Sequence, residues 1–317
     1  MSNHSIPVVD LNKYVNGSDA DKKSFIEELG KAFEEVGFVS VKNHGVPAAL
    51  IEEYYDLVKY FFELPTATKK GYEKPELAGQ RGYTSFGKET AKGYDAPDLK
   101  EFWQLGQTVE GNDPVSEIYP NNITVNEIPA FTQKGVELYK AFEKSGSALL
   151  QAIAVHLNLP EKYFASHIHN GNSILRAIHY PPITQEPKSA IRAEQHEDIN
   201  LITLLVGASA EGLQLLNKQN EWLDITAPEG CIVVNVGDML QRLTNNRLKS
   251  TTHRVVNPPK EKWHTSRYSI PFFLHPRSEM RLDALASCIS STNPLAYEPI
   301  SAGEYLDERL REIGLKK

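Results

Sequence analysis

The run AEQHEDINLITLL places a histidine and an aspartate, His196 and Asp198, two positions apart inside a strand-like segment. Residues two apart in a β-strand point to the same side, so an imidazole and a carboxylate would project together. These are two members of the 2-His-1-carboxylate facial triad, which binds non-haem Fe(II) and leaves three coordination positions open. A third ligand must come from elsewhere, and His253 lies on a later predicted strand, STTHRVV.

A second polar pair, Arg267 and Ser269 in RYSIPFF, shares one face of the next predicted strand by the same two-residue period. Arginine presents a rigid fork of N–H donors that pairs bidentately with a carboxylate. Inside a barrel such an arginine requires an anion, and no protein carboxylate is obviously placed to serve. A bound dicarboxylate would satisfy its charge.

The composition limits the classes of partner. The chain has 317 residues, a formal net charge of −7 and a pI near 5.8, whereas nucleic-acid binders usually carry a basic patch and a high pI. Its two cysteines, Cys231 and Cys288, and an N-terminus without a signal-peptide pattern favour a reduced cytoplasmic protein. No apolar run reaches the roughly 18 residues of a membrane span. We therefore expect a small-molecule substrate, with no nucleic acid, membrane or obligate protein partner.

Hydrophobic periodicity predicts a mostly helical first half. Apolar residues at helical spacing predict helices over 19–36, 48–64 and 130–157. The segment 66–128 is rich in Gly, Pro, Lys and Asp and contains RGYTSFG and KEFWQLG. This composition predicts a long functional loop between the second and third helices.

Short β-branched runs separated by turn signals dominate the second half of the chain. Because no long helix lies between them, they indicate a sandwich or jelly roll, not a parallel sheet. Further strands are predicted at 6–10 and within 37–47, and a last helix at 302–313. No Gly/Ser/Pro spacer separates the halves. We therefore predict one structural unit, in which an N-terminal α/β region, 1–120, packs on a core, 121–317.

The order of these motifs resembles the isopenicillin N synthase-like branch of the Fe(II)/2-oxoglutarate-dependent oxygenases. The resemblance covers nearly the whole chain, because IPVVDL and GFVSVKNHGVP are similar to the N-terminal region of that family and ILRAIHYPP, GLQLL, VVNVGDMLQRLTNNRLKSTTHRVV and RYSIPFF to its catalytic core. Any one match is weak, but the ordered set is strong. It implies a mainly β fold with flanking helices around a double-stranded β-helix (jelly-roll) core.

The resemblance also assigns roles to individual residues. It implies that His196, Asp198 and His253 bind the metal, and that no catalytic side chain is needed beyond the metal centre. It implies that Arg267 and Ser269 hold 2-oxoglutarate, with the help of a tyrosine that corresponds to Tyr180. In this chain Ile178 stands where the family motif has an asparagine. The implied cofactors are Fe(II), 2-oxoglutarate as cosubstrate, and O2.

Candidate substrate contacts lie on the predicted loop 66–128 and on the barrel strands. The aromatic and apolar candidates are Tyr83, Phe86, Phe102, Leu204 and Phe272. The charged candidates are Arg81, Lys100, Glu101 and Arg192.

Three functions remain compatible with the sequence. The first is an oxygenase that hydroxylates or desaturates a small organic metabolite and releases succinate and CO2 from 2-oxoglutarate. The second is a non-haem iron oxidase of the same fold that does not use 2-oxoglutarate, as in isopenicillin N synthase or the ethylene-forming oxidase. The third is a metal-binding jelly roll without catalysis, although an intact triad argues against it.

Overall fold

The computed structural model describes residues 6–91, 93–206 and 211–312. Within these ranges the chain forms three layers, which are a set of helices, a large central sheet and a small second sheet. None of the helices in these ranges combines the length and the hydropathy that crossing a bilayer requires.

The helices and strands have the following bounds. The helices are α1 (Leu11–Asn16), α2 (Asp19–Glu35), α3 (Ala48–Glu63), α4 (Thr66–Gly71), α5 (Pro129–His156), α6 (Ala165–Ile168), α7 (Asp238–Leu243) and α8 (Ala302–Glu312). The strands are β1 (Val8–Asp10), β2 (Phe38–Lys42), β3 (Gly82–Thr84), β4 (Glu101–Gly106), β5 (Ile174–Tyr180), β6 (Ala193–His196), β7 (Ile202–Val206), β8 (Leu213–Leu216), β9 (Trp222–Asp224), β10 (Ile232–Val236), β11 (His253–Val255) and β12 (Arg267–Leu274). Short 3-10 turns lie at Pro75–Leu77, Pro114–Glu117, Lys260–Lys262 and Ala286–Cys288.

The strands form two sheets. The large sheet has the order β1-β2-β10-β7-β12-β5-β4-β3, and the small sheet has the order β6-β11-β8-β9. Among the strands of the described residues, only β1 and β2 pair in parallel, and all other neighbours are antiparallel. Strands from the N-terminal region therefore extend both edges of the core sheet.

Two-residue alternation divides the side chains of the large sheet between two interiors. One face packs on α2, α3 and α5, and its buried residues include Leu175, Leu204 and Phe272. The other face meets the small sheet in a second cluster of buried residues: Phe38, Phe102, Ile178, Tyr180, Ala193, Leu213, Leu215 and Val255. The space between the two sheets is where polar side chains can be held away from bulk water.

The long helices follow the sequence predictions to within one or two residues, and the jelly-roll strands appear in the predicted second half. The segment 66–128 departs from its prediction, because it contains β3 and β4, which pair with each other and join the large sheet through β5. The predicted loop is thus partly a sheet edge. Long-range pairing with Ile174–Tyr180 supplies the hydrogen bonds that local composition could not indicate.

Phe272 provides a test of this layered core. Its ring is fully buried, stacks on Phe142 with a centroid distance of 5.6 Å and meets Tyr139 edge-to-face at 4.9 Å. We expect Phe272→Leu to lower the free energy of unfolding by about 1–2 kcal/mol, because it removes these ring contacts and leaves a small void. Urea denaturation measures this loss. Unchanged stability together with altered substrate affinity would instead indicate that Phe272 faces the active site.

Candidate active site

Three side chains predicted as metal ligands converge at one point between the two sheets. One ligand atom from each of His196, Asp198 and His253 lies within 4.8 Å of the other two. The Nε2 atoms of His196 and His253 lie 4.0 Å and 3.7 Å from Asp198 Oδ1. In the described parts of the chain, no other group of His, Cys, Asp and Glu residues has this arrangement. The donor set of two imidazoles and one carboxylate suits a non-haem iron ion.

The backbone explains why these residues meet. His196 and His253 are direct cross-strand partners in β6 and β11 of the small sheet, and their ring centroids are 4.4 Å apart. Asp198 lies beyond the end of β6, in the segment that carries the chain across to β7 in the large sheet. The strand-like run is therefore two strands in different sheets, and the His-x-Asp pair marks the crossing.

Hydrogen bonds fix which ligand atoms face the centre. Thr203 Oγ1 donates to Asp198 Oδ2 at 2.6 Å, and Asn235 Nδ2 donates to the same oxygen at 2.8 Å. Oδ1 is left to face the histidines. The Nδ1 atoms of His196 and His253 lie 2.6 Å and 3.1 Å from the carbonyl oxygens of Glu194 and Thr251, so each Nδ1 carries the proton and each Nε2 is free to bind a metal.

The start of α7 holds the crossing segment in place. The backbone N–H groups of Asp238 and Met239 donate to the carbonyl oxygens of Asp198 and Asn200 at 2.8 Å and 3.1 Å. This close approach requires Gly237, since a Cβ there would lie 2.1 Å from Asn200 Oδ1. The glycine in the VNVGD motif is thus part of the support for the metal site.

The protonation states also suit metal binding. Desolvation and the neighbouring His253 lower the pKa of His196 to about 4, so its imidazole is neutral at pH 7. Burial acts to raise the pKa of Asp198, but the two histidines and the donors from Asn235 and Thr203 outweigh it and lower that pKa. A carboxylate and neutral imidazoles are the forms that bind a divalent cation.

An inner cavity extends from the triad to Arg267 and Ser269. Both are buried, and Arg267 Nη1 donates to Ser269 Oγ at 3.4 Å. Tyr180 is the cross-strand partner of Arg267, and the guanidinium lies 5.0 Å from the centre of its ring. The cavity is lined by all three of these residues, the triad and Ile178. The predicted cosubstrate residues therefore line the same cavity as the predicted metal ligands.

A second buried arginine lies beside this end of the cavity. Arg192 is 2% exposed, and its guanidinium is 5.9 Å from the Tyr180 ring on which Arg267 also lies. Its Nη2 donates to the Thr265 carbonyl at 3.1 Å, while its buried Nε has no hydrogen-bond partner in the described residues. Burial and the charge of Arg267 lower the pKa of Arg192 to about 10, so it remains a cation at pH 7.

An outer cavity adjoins the inner one, and His196 and Asp198 line both. Apart from His196 and Asp198, the polar residues that line it include Glu89, Asp98, Lys100, Gln104, Arg176 and His275. Lys100 and Arg176 line the inner cavity as well, whereas His253 lines only the inner one. Its apolar wall is formed by Ile174, Ile199, Phe273 and, from the C-terminal helix α8, Leu306 and Leu310.

None of the five aromatic and apolar residues predicted as substrate contacts lines this cavity. Tyr83 is buried and donates to Glu101, Phe86 is half exposed, and Phe102 packs behind the cavity wall with its ring 4.2 Å from the Arg176 guanidinium. Leu204 and Phe272 face the helices, because they lie on the opposite strand face from the inward Ser269 and Phe273. The structure therefore places Leu204 and Phe272 in the core next to the helices, and not beside the metal site as predicted.

Of the charged candidates, only Lys100 lines the outer cavity. Glu101 points away from it and binds Lys69 and His179 in a buried network, and Arg81 donates to the carbonyl groups of Gln80 and Pro120. The sequence analysis did not single out Arg176, Gln104, Glu89 or His275. A signal existed for Arg176, which lies four residues before Tyr180 on the same face of one strand.

Two family models match the chain. Residues 6–129 match the model for the non-haem dioxygenase in morphine synthesis N-terminal region, and residues 171–276 match the 2OG-Fe(II) oxygenase superfamily. The proline hydroxylase buaE from Petromyces alliaceus is 32% identical over 317 residues, which cover 95% of this chain and 97% of that protein. The chain belongs to the 2OG-Fe(II) oxygenase superfamily.

Solved structures agree with this assignment. A 2OG-Fe(II) oxygenase family protein from Caulobacter crescentus is 44% identical with a TM-score of 0.87, and the match covers 97% of this chain and 99% of that one. A full-length Neurospora crassa protein, solved in complex with alpha-KG (2-oxoglutarate) and thymine, is 30% identical with a TM-score of 0.85, and the match covers 96% of both chains. The jelly-roll fold and the enzyme class predicted from the sequence are confirmed. This oxygenase uses Fe(II), 2-oxoglutarate and O2.

Thr203 offers a test of the hydrogen bonds around the metal ligands. Thr203→Val keeps the shape of the side chain but removes the donor to Asp198 Oδ2, leaving only Asn235 to orient the carboxylate. We expect the affinity for Fe(II) to fall about tenfold, because outer hydrogen bonds of this kind typically contribute about 10–100-fold. Anaerobic competition with a chromogenic chelator measures the affinity. Thr132→Val, which removes a hydroxyl on α5 away from the site, is the control, and equal Fe(II) affinities in the two variants would count against this role.

Proposed function

We propose that His196, Asp198 and His253 bind the Fe(II) of this oxygenase, and that Arg267, Ser269 and Tyr180 receive the distal carboxylate of 2-oxoglutarate. The observation that supports this most directly is that His196 and Asp198 line both cavities, and that the inner cavity, which His253 also lines, ends at the buried Arg267. A substrate in the outer cavity and 2-oxoglutarate in the inner one would then both lie beside the metal site.

The reaction balances as one C–H hydroxylation per 2-oxoglutarate. One oxygen atom of O2 enters the substrate as a hydroxyl group, the other enters succinate, and the cosubstrate loses CO2. Bound iron supplies the activation of O2. The contribution of the chain is to hold Asp198 through Thr203 and Asn235, to anchor the cosubstrate at Arg267, and to keep water away with the apolar wall of the outer cavity. No side chain has to act as a general base.

The substrate is a small organic molecule, and the protein works in the cytoplasm without nucleic acid, membrane or an obligate protein partner. The lining of the outer cavity, which combines an apolar wall with a few polar side chains, supports a small molecule. Cys231 and Cys288 are not joined in a disulfide, which supports a reducing compartment.

Anaerobic titration with 2-oxoglutarate tests the assignment. Fe(II)-loaded protein should develop the weak visible metal-to-ligand charge-transfer band as the cosubstrate binds. Succinate release under air then reports turnover in a substrate screen. A protein that binds iron but shows no such band would contradict the cosubstrate assignment and would favour an oxidase that works without 2-oxoglutarate.

Arg192 should strengthen cosubstrate binding through its charge. It adds a second buried cation close to Arg267, and electrostatic interactions are strong where water is excluded. We expect Arg192→Met to raise the Kd for 2-oxoglutarate about tenfold. Arg192→Lys should retain most of the affinity, and the exposed Arg281→Met should behave as wild type.

A second ligand distinguishes an electrostatic role of Arg192 from a structural one. The monoanion 2-oxopentanoate lacks the distal carboxylate, so its affinity should change little in Arg192→Met. Titration of the charge-transfer band gives both Kd values. Equal weakening of both 2-oxo acids would show that Arg192 only supports the fold of the cavity.

A further inference from the structure

The inner cavity ends near two buried arginines, whereas the charged side chains around the outer cavity are held in ion pairs. At the inner end, Arg192 and Arg267 are both buried and close enough for the charge of Arg267 to lower the pKa of Arg192. The hydrogen bond from the Arg192 guanidinium goes to a neutral carbonyl group, that of Thr265. Two buried guanidinium groups at this end are complementary to a dianion such as 2-oxoglutarate.

In the outer cavity the charged side chains neutralise one another. Lys100 Nζ lies 2.6 Å from Glu89 Oε2 and 2.7 Å from Asp98 Oδ2. Arg176 Nη1 lies 3.4 Å from both carboxylate oxygens of Glu89. Two cations thus face two carboxylates. Glu197 also lines this cavity, but the residue is exposed to solvent.

These ion pairs are strongly held. Burial acts to raise the pKa of Glu89, but Lys100 and Arg176 outweigh it and lower that pKa to about 2. Asp98 is also fixed by a backbone donor, since Glu194 N–H lies 2.9 Å from its Oδ1. A charged substrate would have to compete with these buried partners, and a buried charge without a partner is costly.

The hydrogen-bonding groups left for a substrate are mostly neutral. His275 is 6% exposed and lines the outer cavity, and its imidazole has no hydrogen-bond partner among the described residues. Burial lowers the pKa of His275 to about 4, so it is neutral at pH 7 and offers one donor and one acceptor. The uncharged side chains of Gln80 and Thr90 also line the wall. The opposite wall is apolar.

From this contrast we infer that the substrate of the oxygenase is electrically neutral, with an apolar part that carries the reacting C–H bond and an amide, carbonyl or hydroxyl group that hydrogen-bonds to His275. The inference rests on the proposed function, because it takes the outer cavity as the substrate site. It deepens that function by separating neutral compounds from carboxylic acids, amines and amino acids as candidate substrates.

Matched compounds test the inference on the Fe(II)- and 2-oxoglutarate-loaded protein without oxygen. The panel pairs thymine with uracil-5-carboxylate, N-acetyl-L-prolinamide with L-proline, and a series of small primary amides with the corresponding acids and amines. Binding is measured from the change that each compound causes in the charge-transfer band. We expect the neutral members to bind at least about tenfold more tightly than their charged partners.

Variants that change the charge of the cavity make the test independent of any one compound. Glu89→Gln leaves Lys100 and Arg176 facing only one carboxylate, so preference should move toward the acids by about tenfold. Asp98→Asn makes the same charge change from another position and covers the case in which Glu89→Gln fails to fold. Glu186→Gln, at an exposed residue outside the cavity, should leave the preference as in wild type.

These experiments distinguish a failure of the proposed function from a failure of the neutral-substrate inference. A charge-transfer band that forms with 2-oxoglutarate upholds the proposed function whatever the panel shows. Tighter binding of the charged members, or a panel in which no neutral member binds, overturns the neutral-substrate inference alone. Unaltered preference in both Glu89→Gln and Asp98→Asn also overturns it.

Discussion

Asp198→Ala should abolish iron binding and turnover. Loss of an outer hydrogen bond typically weakens metal affinity by about 10–100-fold, and loss of a ligand itself should exceed that range. The variant removes the one carboxylate oxygen that faces both histidines, Asp198 Oδ1. It also leaves Thr203 and Asn235 without their shared acceptor. We expect no stoichiometric Fe(II) in an anaerobic chelator competition and no succinate above background.

Folding and ligand loss must be distinguished in this variant. Asp283→Ala removes an exposed carboxylate that pairs with Arg281, and it should retain iron, activity and the wild-type urea midpoint. If Asp198→Ala keeps a cooperative urea transition while losing iron, the loss is local to the metal site. Full activity in Asp198→Ala would overturn the ligand assignment.

The site residues could be predicted where they lie two positions apart on one strand. His196 and Asp198 are separated by two residues, as are Arg267 and Ser269, and the order of these motifs along the chain carried the resemblance to the family. The pairing of His253 with His196 across two strands depends on sheet register, which local sequence does not encode. The resemblance supplied that link.

The two-residue strand period also explains why Phe272 and Leu204 do not face the metal site. Counting inward positions from Arg267 gives Ser269, Pro271 and Phe273, so Phe272 must face the other way. Leu204 is the register partner of Phe272 and follows it into the helical core. A different signal marked Asn235, a polar residue in the middle of the apolar strand IVVNV, which the sequence analysis did not use.

The sequence analysis did not predict which residues line the outer cavity. Glu89 and Lys100 lie on the segment predicted as loop, while Arg176 lies on β5 more than 70 residues later. The ion pair between Arg176 and Glu89 forms because β4 pairs with β5 and brings these segments together. The paired charges, not the aromatic residues of the predicted loop, therefore define the chemistry that a substrate meets.

Arg267→Ala should separate the cosubstrate from the metal. The change removes the guanidinium at the end of the inner cavity but leaves His196, Asp198 and His253 in place. Truncating one partner of a buried charge pair costs about 2–5 kcal/mol. We therefore expect the Kd for 2-oxoglutarate to rise about a hundredfold or more, at about 1.4 kcal/mol per tenfold, with Fe(II) affinity unchanged.

The dependence on the concentration of 2-oxoglutarate gives a further test of the Arg267→Ala variant. Raising 2-oxoglutarate should restore both the charge-transfer band and succinate formation in Arg267→Ala, because the metal site is intact. Ser269→Ala removes one hydroxyl beside the same guanidinium and should weaken binding by about tenfold at most. If Arg267→Ala instead consumed oxygen at the wild-type rate and independently of 2-oxoglutarate, the arginine would not be the cosubstrate anchor, and the positive inner end of the cavity would have to serve another anion.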